Sequence, residues 1–293
     1  IRCDSNKLFA FPFESDFWRA MEYIDETFSI DSLEDERMAY QAGIGLAKFH
    51  LICSDLDCSE LKDSIKNFHN TKYYIDQYIR TLSDHNLMRL DIEVGNRLDY
   101  LVNCLSKHIG FVDLLLKSLG DKSIQYNVIH GDPKLSNFLF DIHDKYVVSL
   151  IDLDTVSSGY LLTDLADCLR SICNFSGEDP KRIENVSFDI NSSNYFLKGY
   201  FSLSNKDEDK SLRFLPEFIY LIIFELTIRF LTDFLQSNRY FNIKYETHNL
   251  FRAEVQYQLL SSFLSKISCF SDELHDVGIY SSPTFVSDVQ KIV

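Results

Sequence analysis

Residues that interrupt regular secondary structure are scarce in this sequence. Only 10 glycines and 5 prolines occur among 293 residues, whereas phenylalanine and tyrosine contribute 24 and 16. Because glycine and proline are the strongest local breakers, their scarcity predicts long uninterrupted elements, mostly helices. Hydrophobic residues make up 45% and charged residues 25%, which is typical of a folded globular protein.

Positive charge is also in short supply. The 29 Lys and Arg residues are outnumbered by 44 Asp and Glu residues, which gives a formal net charge of −15. Nucleic acid backbones are bound by clusters of Lys and Arg, so the composition argues against a nucleic acid partner. A single nucleotide remains compatible with this charge if metal ions bridge the like charges.

Metal-binding cysteine patterns and membrane-spanning runs are both lacking. The seven cysteines form no CxxC pair, which predicts free thiols in a reducing, cytoplasmic compartment. The most apolar stretch, residues 218–230, contains Glu225 and Arg229 and is too short to cross a bilayer, so it predicts a buried helix and no membrane partner. The N-terminus does not resemble a signal peptide, and its lack of a starting Met suggests that upstream residues are missing.

The hydrophobic pattern divides the chain into a short β region and a longer, mostly helical region. Apolar-aromatic runs at 7–13 and 16–24 predict a β-hairpin or the last two strands of a sheet. Helical spacing begins at Ser32, where the segment up to Asp35 has capping-box spacing, and a second long helix is predicted over 92–119.

A small β insert is predicted in the second half of the chain. Three short runs have strand character: 127–129, 138–140 and 146–151. Helical spacing returns at 161–172, and the polar stretch 176–193 predicts a surface loop. The sequence therefore predicts a mixed α/β (α+β) fold, mostly helical with a small β insert.

A polar motif follows the first strand of this insert. The residues HGDPKLSN occupy 130–137, and a buried-looking strand ends at Asp152, 15 residues after Asn137. Asp132 would accept the proton of an attacking hydroxyl, while Lys134 would offset negative charge on the phosphoryl group during its transfer. Asn137 and Asp152 would supply hard oxygen ligands for Mg²⁺. For the HGD tripeptide alone, a hydrogen-bonded turn is the alternative, but the two spacings together favour phosphoryl transfer.

In these residues the sequence resembles the aminoglycoside phosphotransferase and choline kinase group of kinase-like enzymes, and more closely the N-acetylhexosamine 1-kinases. The matching segments are residues 18–27, 68–71, 130–137, 152–156 with Gly159, 164–170, 229–231, 240–241 and 244–250. The resemblance implies a protein-kinase-like fold that uses ATP and Mg²⁺ to phosphorylate the anomeric O1 of a sugar.

The resemblance also implies roles for individual residues. Asp132 is the expected catalytic base, assisted by Lys134. Asn137 and Asp152 are the expected metal ligands, and Arg229 and Tyr240 match positions that hold the sugar. The main chain at Glu22, Tyr23 and Ile24 corresponds to a hinge that contacts adenine, and His130, Asp154 and Asp164 are expected to support the catalytic loop and metal site.

Four of these residues have structural alternatives. Arg229 lies four residues after Glu225, so an internal ion pair between them is equally consistent with the sequence. Tyr240 could be a core aromatic residue, Asp154 a structural residue, and Glu22 a solvated charge.

One part of the kinase pattern is lacking. No glycine-rich loop precedes a strand, and no strand lysine is followed by a helix glutamate. We therefore expect residues 1–27 to be the remnant of a truncated N-lobe and its hinge, and residues 28–293 to form the helical C-lobe. On this expectation the chain binds ATP weakly, and an inactive chain is one outcome of the truncation. The hypotheses left open are a kinase of another acceptor, such as choline, homoserine or an aminoglycoside, and a non-catalytic kinase-like module.

Overall fold

The computed structural model describes residues 11–14, 16–84, 90–120, 124, 126–204 and 210–289. The strands are β1 (Phe11–Phe13), β2 (Asp16–Trp18), β3 (Thr27–Phe28), β4 (Asn127–Ile129), β5 (Phe138–Asp141), β6 (Val147–Leu150) and β7 (Ser157–Gly159). The helices are α1 (Glu36–Ile52), α2 (Thr71–Asp84), α3 (Ile92–Gly120), α4 (Leu161–Ile172), α5 (Ile190–Phe201), α6 (Leu215–Leu235), α7 (His248–Ser265), α8 (Ile267–Asp276) and α9 (Pro283–Val289).

The predicted hairpin is confirmed, but it is shorter than expected. Strands β1 and β2 pair antiparallel, with Phe11 opposite Trp18. Residues 19–24 are not part of a strand, and the chain instead forms β3, which pairs with β5 across the molecule. The part of the prediction that concerns residues 7–10 lies outside the described residues.

Helix α1 begins later than the capping-box spacing suggested. Asp35 is itself the N-cap, and its carboxylate accepts a hydrogen bond from the Met38 amide at 3.1 Å. The expectation of a cap at Ser32 was therefore wrong. Helix α1 packs closely on α5. Glycine at position 43 permits this close approach, since a Cβ there would lie only 2.1 Å from the Phe196 carbonyl oxygen.

Helix α6 is the centre of the core. Nearly all of its 21 residues are buried, which confirms the buried helix predicted around residues 218–230. It packs against α2, α4 and α7. Among the described residues, no helix combines the length and apolarity needed to cross a membrane.

Helices α3 and α4 and strands β4 and β5 match the predicted elements within one residue at each end. The predicted surface loop at 176–193 is partly wrong, because Phe188 is fully buried and Asp189 caps α5. Phe188 packs against Phe263 and Phe270, with ring centroids 4.9 and 5.9 Å apart, and this contact pulls the loop onto the core.

Three small sheets position the polar loops. Strand β4 pairs with β7, β5 pairs with both β3 and β6, and β1 pairs with β2. The loop after β4 and the loop after β6 therefore lie side by side, joined by the Ile151 amide, which donates to the Asn137 carbonyl at 2.9 Å.

Candidate functional site

The loop that contains the HGD motif is held by a buried carboxylate. Asp164, on α4, accepts hydrogen bonds from the amides of His130 and Gly131 at 2.6 and 2.9 Å. It also accepts from His50 Nε2 at 2.9 Å, and His50 is oriented by the Tyr200 hydroxyl at 2.8 Å. The geometry agrees with the predicted bracing role of Asp164, whereas the contributions of His50 and Tyr200 were not predicted.

His130 links the two polar loops rather than facing an open site. It is fully buried, and its Nε2 donates to the Ile151 carbonyl at 3.0 Å. Its own carbonyl accepts from Thr155 Oγ1 at 2.9 Å. Gly131 has a φ of 84°, and a Cβ there would lie 2.5 Å from the Thr155 carbonyl oxygen. The turn before Asp132 therefore requires glycine.

The structure brings Asp132, Lys134 and Asn137 together. Lys134 Nζ lies 2.8 Å from Asp132 Oδ2. The Asn137 amide nitrogen donates to the Asp132 carbonyl at 2.8 Å and lies 3.4 Å from Asp132 Oδ2. These contacts fix the direction in which the Asp132 carboxylate points.

The electrostatic environment favours proton acceptance by Asp132. Burial, and then the neighbouring Asp167 carboxylate, raise the pKa of Asp132 above its ordinary value, and Lys134 and Arg170 only partly offset this. Burial disfavours the charged form of Lys134, but Asp132 more than compensates and raises the lysine pKa. Because basicity rises with pKa, Asp132 is a better proton acceptor than an exposed aspartate.

Asp167 and Arg170 form a buried ion pair beneath this group. The Arg170 Nε atom lies 2.7 Å from Asp167 Oδ1, and Arg170 NH1 lies 3.2 Å from Glu178. Burial alone would raise the pKa of Asp167, but Arg170 lowers it below the ordinary value. Asp167 therefore keeps its negative charge, which is the charge that raises the pKa of Asp132.

The predicted metal ligands, Asn137 and Asp152, lie in the adjoining loops after β4 and β6. Asn137 uses its amide nitrogen for the contacts with Asp132. Among the described residues no donor hydrogen-bonds to its Oδ1 atom. Asp152 directly follows Ile151 in a left-handed conformation (φ 63°), and its side chain caps nothing. In the described part of the chain, no cluster of three or more His, Cys, Asp or Glu residues could hold a metal. Amide and carboxylate oxygens are the ligand type that Mg²⁺ prefers, and the assignment of Asn137 and Asp152 as its ligands stays a prediction.

Asp154 lies in the same loop as Asp152, after β6, whereas the predicted hinge follows β2. The Asp154 carboxylate pairs with Arg19, which follows β2, so its side chain is engaged in a structural contact. Glu22 and Tyr23 are exposed, and the Ile24 carbonyl accepts a hydrogen bond from Thr27 Oγ1 at 2.8 Å. The role of these three residues in nucleotide binding stays a prediction.

A cavity of about 320 Å³ opens beside Asp132. Asp132 and Lys134 line it, and so do Arg229, Tyr240 and Phe241. The structure therefore places both predicted sugar-binding residues in the same cavity as the predicted base. Tyr240 is 61% exposed, so it is not a core aromatic residue.

Arg229 is enclosed by aromatic rings. Its guanidinium carbon lies 4.8 Å from the Tyr74 ring centroid, 5.2 Å from Phe68, 5.6 Å from Phe241 and 6.0 Å from Tyr240. These distances are in the range of cation–π interactions.

The alternative of an Arg229–Glu225 ion pair is present, but it is long. Arg229 NH1 lies 3.9 Å from Glu225 Oε1, while Glu225 Oε2 accepts from Thr71 at 2.7 Å. His69, which was not predicted as a site residue, donates from Nε2 to the Gly131 carbonyl at 2.6 Å, and its Nδ1 lies 3.6 Å from Glu225. These contacts connect the Arg229 side of the cavity to the loop before Asp132.

Solved structures of kinases share this architecture. The chain aligns with an aminoglycoside phosphotransferase from Alicyclobacillus acidocaldarius subsp. acidocaldarius at 15% identity and a TM-score of 0.61, covering 90% of this chain and 76% of that one. It aligns with an ethanolamine kinase from Plasmodium vivax at 14% identity and a TM-score of 0.55, covering 85% and 67%. A choline kinase from Cryptosporidium parvum aligns at 13% identity and a TM-score of 0.50, covering 85% and 71%. These similarities show a protein-kinase-like fold, as predicted.

The sequence itself matches a family model. Residues 7–185 match the model of the phosphotransferase enzyme family (APH). The matched segment spans more than half of the chain and includes the motif at 130–137 as well as Asp152 and Asp164. The chain therefore belongs to the phosphotransferase enzyme family.

Proposed function

We propose that this small-molecule kinase transfers the γ-phosphoryl group of ATP to the anomeric O1 of an N-acetylhexosamine. The observation that carries the proposal is the position of Asp132, which has a raised pKa and faces the same cavity as Arg229. The sequence resemblance to N-acetylhexosamine 1-kinases supports the choice of sugar.

Each residue near Asp132 has a part in the proposed reaction. Asp132 accepts the proton of the sugar hydroxyl as that oxygen bonds to the γ-phosphorus, and the bond from this phosphorus to the β–γ bridging oxygen breaks to release ADP. Lys134, 2.8 Å from Asp132, offsets negative charge on the transferring group. Asn137 and Asp152 would hold Mg²⁺, which neutralises phosphate charge when it is bound.

The size and charge of the cavity support a small neutral acceptor. Its volume of about 320 Å³ is near the lower end of small-molecule pockets, roughly 300–1,000 Å³, which suits a single sugar ring better than a multi-ring aminoglycoside. Its charged lining is balanced, with four acidic and four cationic residues: Asp132, Asp167, Glu178 and Glu225 against Lys134, Arg170, Arg229 and Arg252.

The rings of Phe68, Tyr74, Tyr240 and Phe241 form an aromatic box around Arg229, and this box argues against a quaternary ammonium acceptor. Such ligands are bound by aromatic cages. Here Arg229 already lies among the four rings of Phe68, Tyr74, Tyr240 and Phe241, so choline would have to displace an arginine that the protein itself supplies.

A cationic amino alcohol is the second candidate. The solved structures with a similar fold include an ethanolamine kinase and a choline kinase. In this chain Glu178 and Glu225 line the cavity and could pair with a primary ammonium group. Because ethanolamine is small and lacks methyl groups on nitrogen, the aromatic box does not exclude it.

The test measures the turnover of the unmodified chain and of Asp132→Asn with a panel of acceptors. ADP release is measured with N-acetylglucosamine, N-acetylgalactosamine, ethanolamine, choline, homoserine and an aminoglycoside, and phosphate at O1 is confirmed by phosphorus NMR. Asp132→Asn is expected to lower kcat by about 10²–10⁴-fold with unchanged folding, the usual contribution of a positioned base. Asp144→Asn, in an exposed turn, is the control and should retain full activity.

Three results would reject the proposal in different ways. Retained turnover in Asp132→Asn would show that Asp132 is not the catalytic base. A preference for ethanolamine over both sugars would show that the acceptor is an amino alcohol rather than a sugar. A lack of turnover with every acceptor, together with no heat of Mg-ATP binding in calorimetry, would favour a non-catalytic module.

A further inference from the structure

The outer wall of the cavity is a short segment without regular secondary structure. It joins α6 to α7 and carries Tyr240, Phe241 and Asn242, which line the cavity. The chain reverses at Ser237 and Asn238, which both have left-handed backbones, with φ values of 65° and 55°. Residues other than glycine rarely adopt this backbone conformation, so contacts with other residues must stabilise the turn.

Asp233 provides those contacts. Its Oδ1 accepts hydrogen bonds from the amides of Arg239 and Tyr240 at 2.9 and 2.8 Å. Its Oδ2 accepts from the Phe241 amide and from Asn249 Nδ2, both at 2.9 Å. Asp233 is only 4% exposed, so water cannot replace these partners.

Asp233 lies on the same face of α6 as the residues that meet the acceptor. Glu225, Arg229 and Asp233 are spaced four residues apart, and residues at this spacing share one helix face. Arg229 projects into the aromatic box, and Asp233 fixes the backbone from which Tyr240 and Phe241 project toward Arg229. One carboxylate therefore sets the position of half of the box.

We propose that Asp233 is a positioning residue that determines acceptor affinity, because it holds the 239–241 backbone so that Tyr240 and Phe241 close the cavity around Arg229. The inference rests on the proposed acceptor cavity but not on the identity of the acceptor. Asp233 does not line the cavity, so its loss is expected to change how the acceptor is held and to leave the chemistry at Asp132 intact.

Asp233→Asn is the decisive variant. The asparagine oxygen still accepts two of the bonds, while its amide group presents donors to the other two partners, which are also donors. Asp189→Asn is the matched control, because Asp189 also accepts a main-chain hydrogen bond, from Ser192 at 2.7 Å, and caps α5 without lining the cavity.

Two readouts separate positioning from general weakening of the fold. Steady-state kinetics use whichever acceptor gives the highest turnover in the panel, with the KM of acceptor and of ATP measured separately. Hydrogen exchange follows the peptide that spans residues 236–247 in the absence of any substrate. The exchange measurement does not depend on turnover, so it remains informative even if the proposed sugar is wrong.

The proposal expects Asp233→Asn to raise the acceptor KM by about tenfold or more, the loss expected for one or more hydrogen bonds to a charged group. The ATP KM and kcat should change less than about twofold, and exchange should accelerate within 236–247 only. Asp189→Asn should leave both KM values unchanged. Unchanged exchange at 236–247, an unchanged acceptor KM, or an equal change in both KM values would each overturn the inference.

Discussion

Asp164→Asn tests the idea that a single buried carboxylate holds the catalytic loop. Asp164 is 0% exposed and accepts three hydrogen bonds, from the amides of His130 and Gly131 and from His50. An asparagine oxygen can replace only one of the two carboxylate oxygens, and the new amide group faces one or two donors. Bonds to charged groups contribute roughly 1.5–3 kcal/mol each, so the variant should lose about 2–6 kcal/mol of stability.

Urea unfolding followed by circular dichroism measures this loss, and turnover is measured where the variant is still folded. We expect turnover to fall with stability, because the same two amides set the path of the chain into Asp132. Asp141→Asn is the control, since Asp141 accepts from the amides of His143 and Asp144 but in an exposed turn. A stability loss below about 1 kcal/mol with full turnover would refute the bracing role.

Two further changes test the turn before Asp132 and a buried acid away from it. Gly131→Ala places a Cβ 2.5 Å from the Thr155 carbonyl, so the turn must shift and kcat should fall roughly 100-fold; an active variant with unchanged kinetics would contradict this. Burial raises the pKa of Glu217 to about 8. The folded state therefore keeps a proton that the unfolded chain releases, and stability falls as pH rises from about 4.5 to 8, by on the order of 5 kcal/mol. Urea midpoints of Glu217→Gln should lack this decline; a decline equal to that of the unmodified chain would refute the assignment.

The loop around Asp132 was predictable because its contacts are local. Asp132, Lys134 and Asn137 lie within six positions of each other, and the flanking strands have clear apolar patterns. The contacts that support the loop are not local. His50 reaches Asp164 across 114 positions, and nothing in the local pattern marks it as a partner.

Helix α2 shows a different limit of sequence reasoning. It covers Thr71–Asp84, and its apolar residues Tyr74, Ile75, Tyr78 and Leu82 recur at helical spacing, but this pattern indicates only that the helix packs on a core and marks no functional site. It is nevertheless essential to the site, because Thr71 binds Glu225 and Tyr74 contacts Arg229. The sequence pattern of α2 does not show that this helix packs against α6, and that packing is what brings Thr71 and Tyr74 to the site.

The charges within α6 link the core to the site. A carboxylate or guanidinium in so apolar a helix is costly unless it is paired. Glu225 and Asp233 are 2% and 4% exposed, and each is hydrogen-bonded to a segment that lines the cavity. Arg229 lies between them, where it contacts aromatic rings rather than a close ion-pair partner. Glu225, Arg229 and Asp233 therefore share one face of α6: Glu225 and Arg229 line the cavity, and Asp233 holds the segment that carries Tyr240 and Phe241.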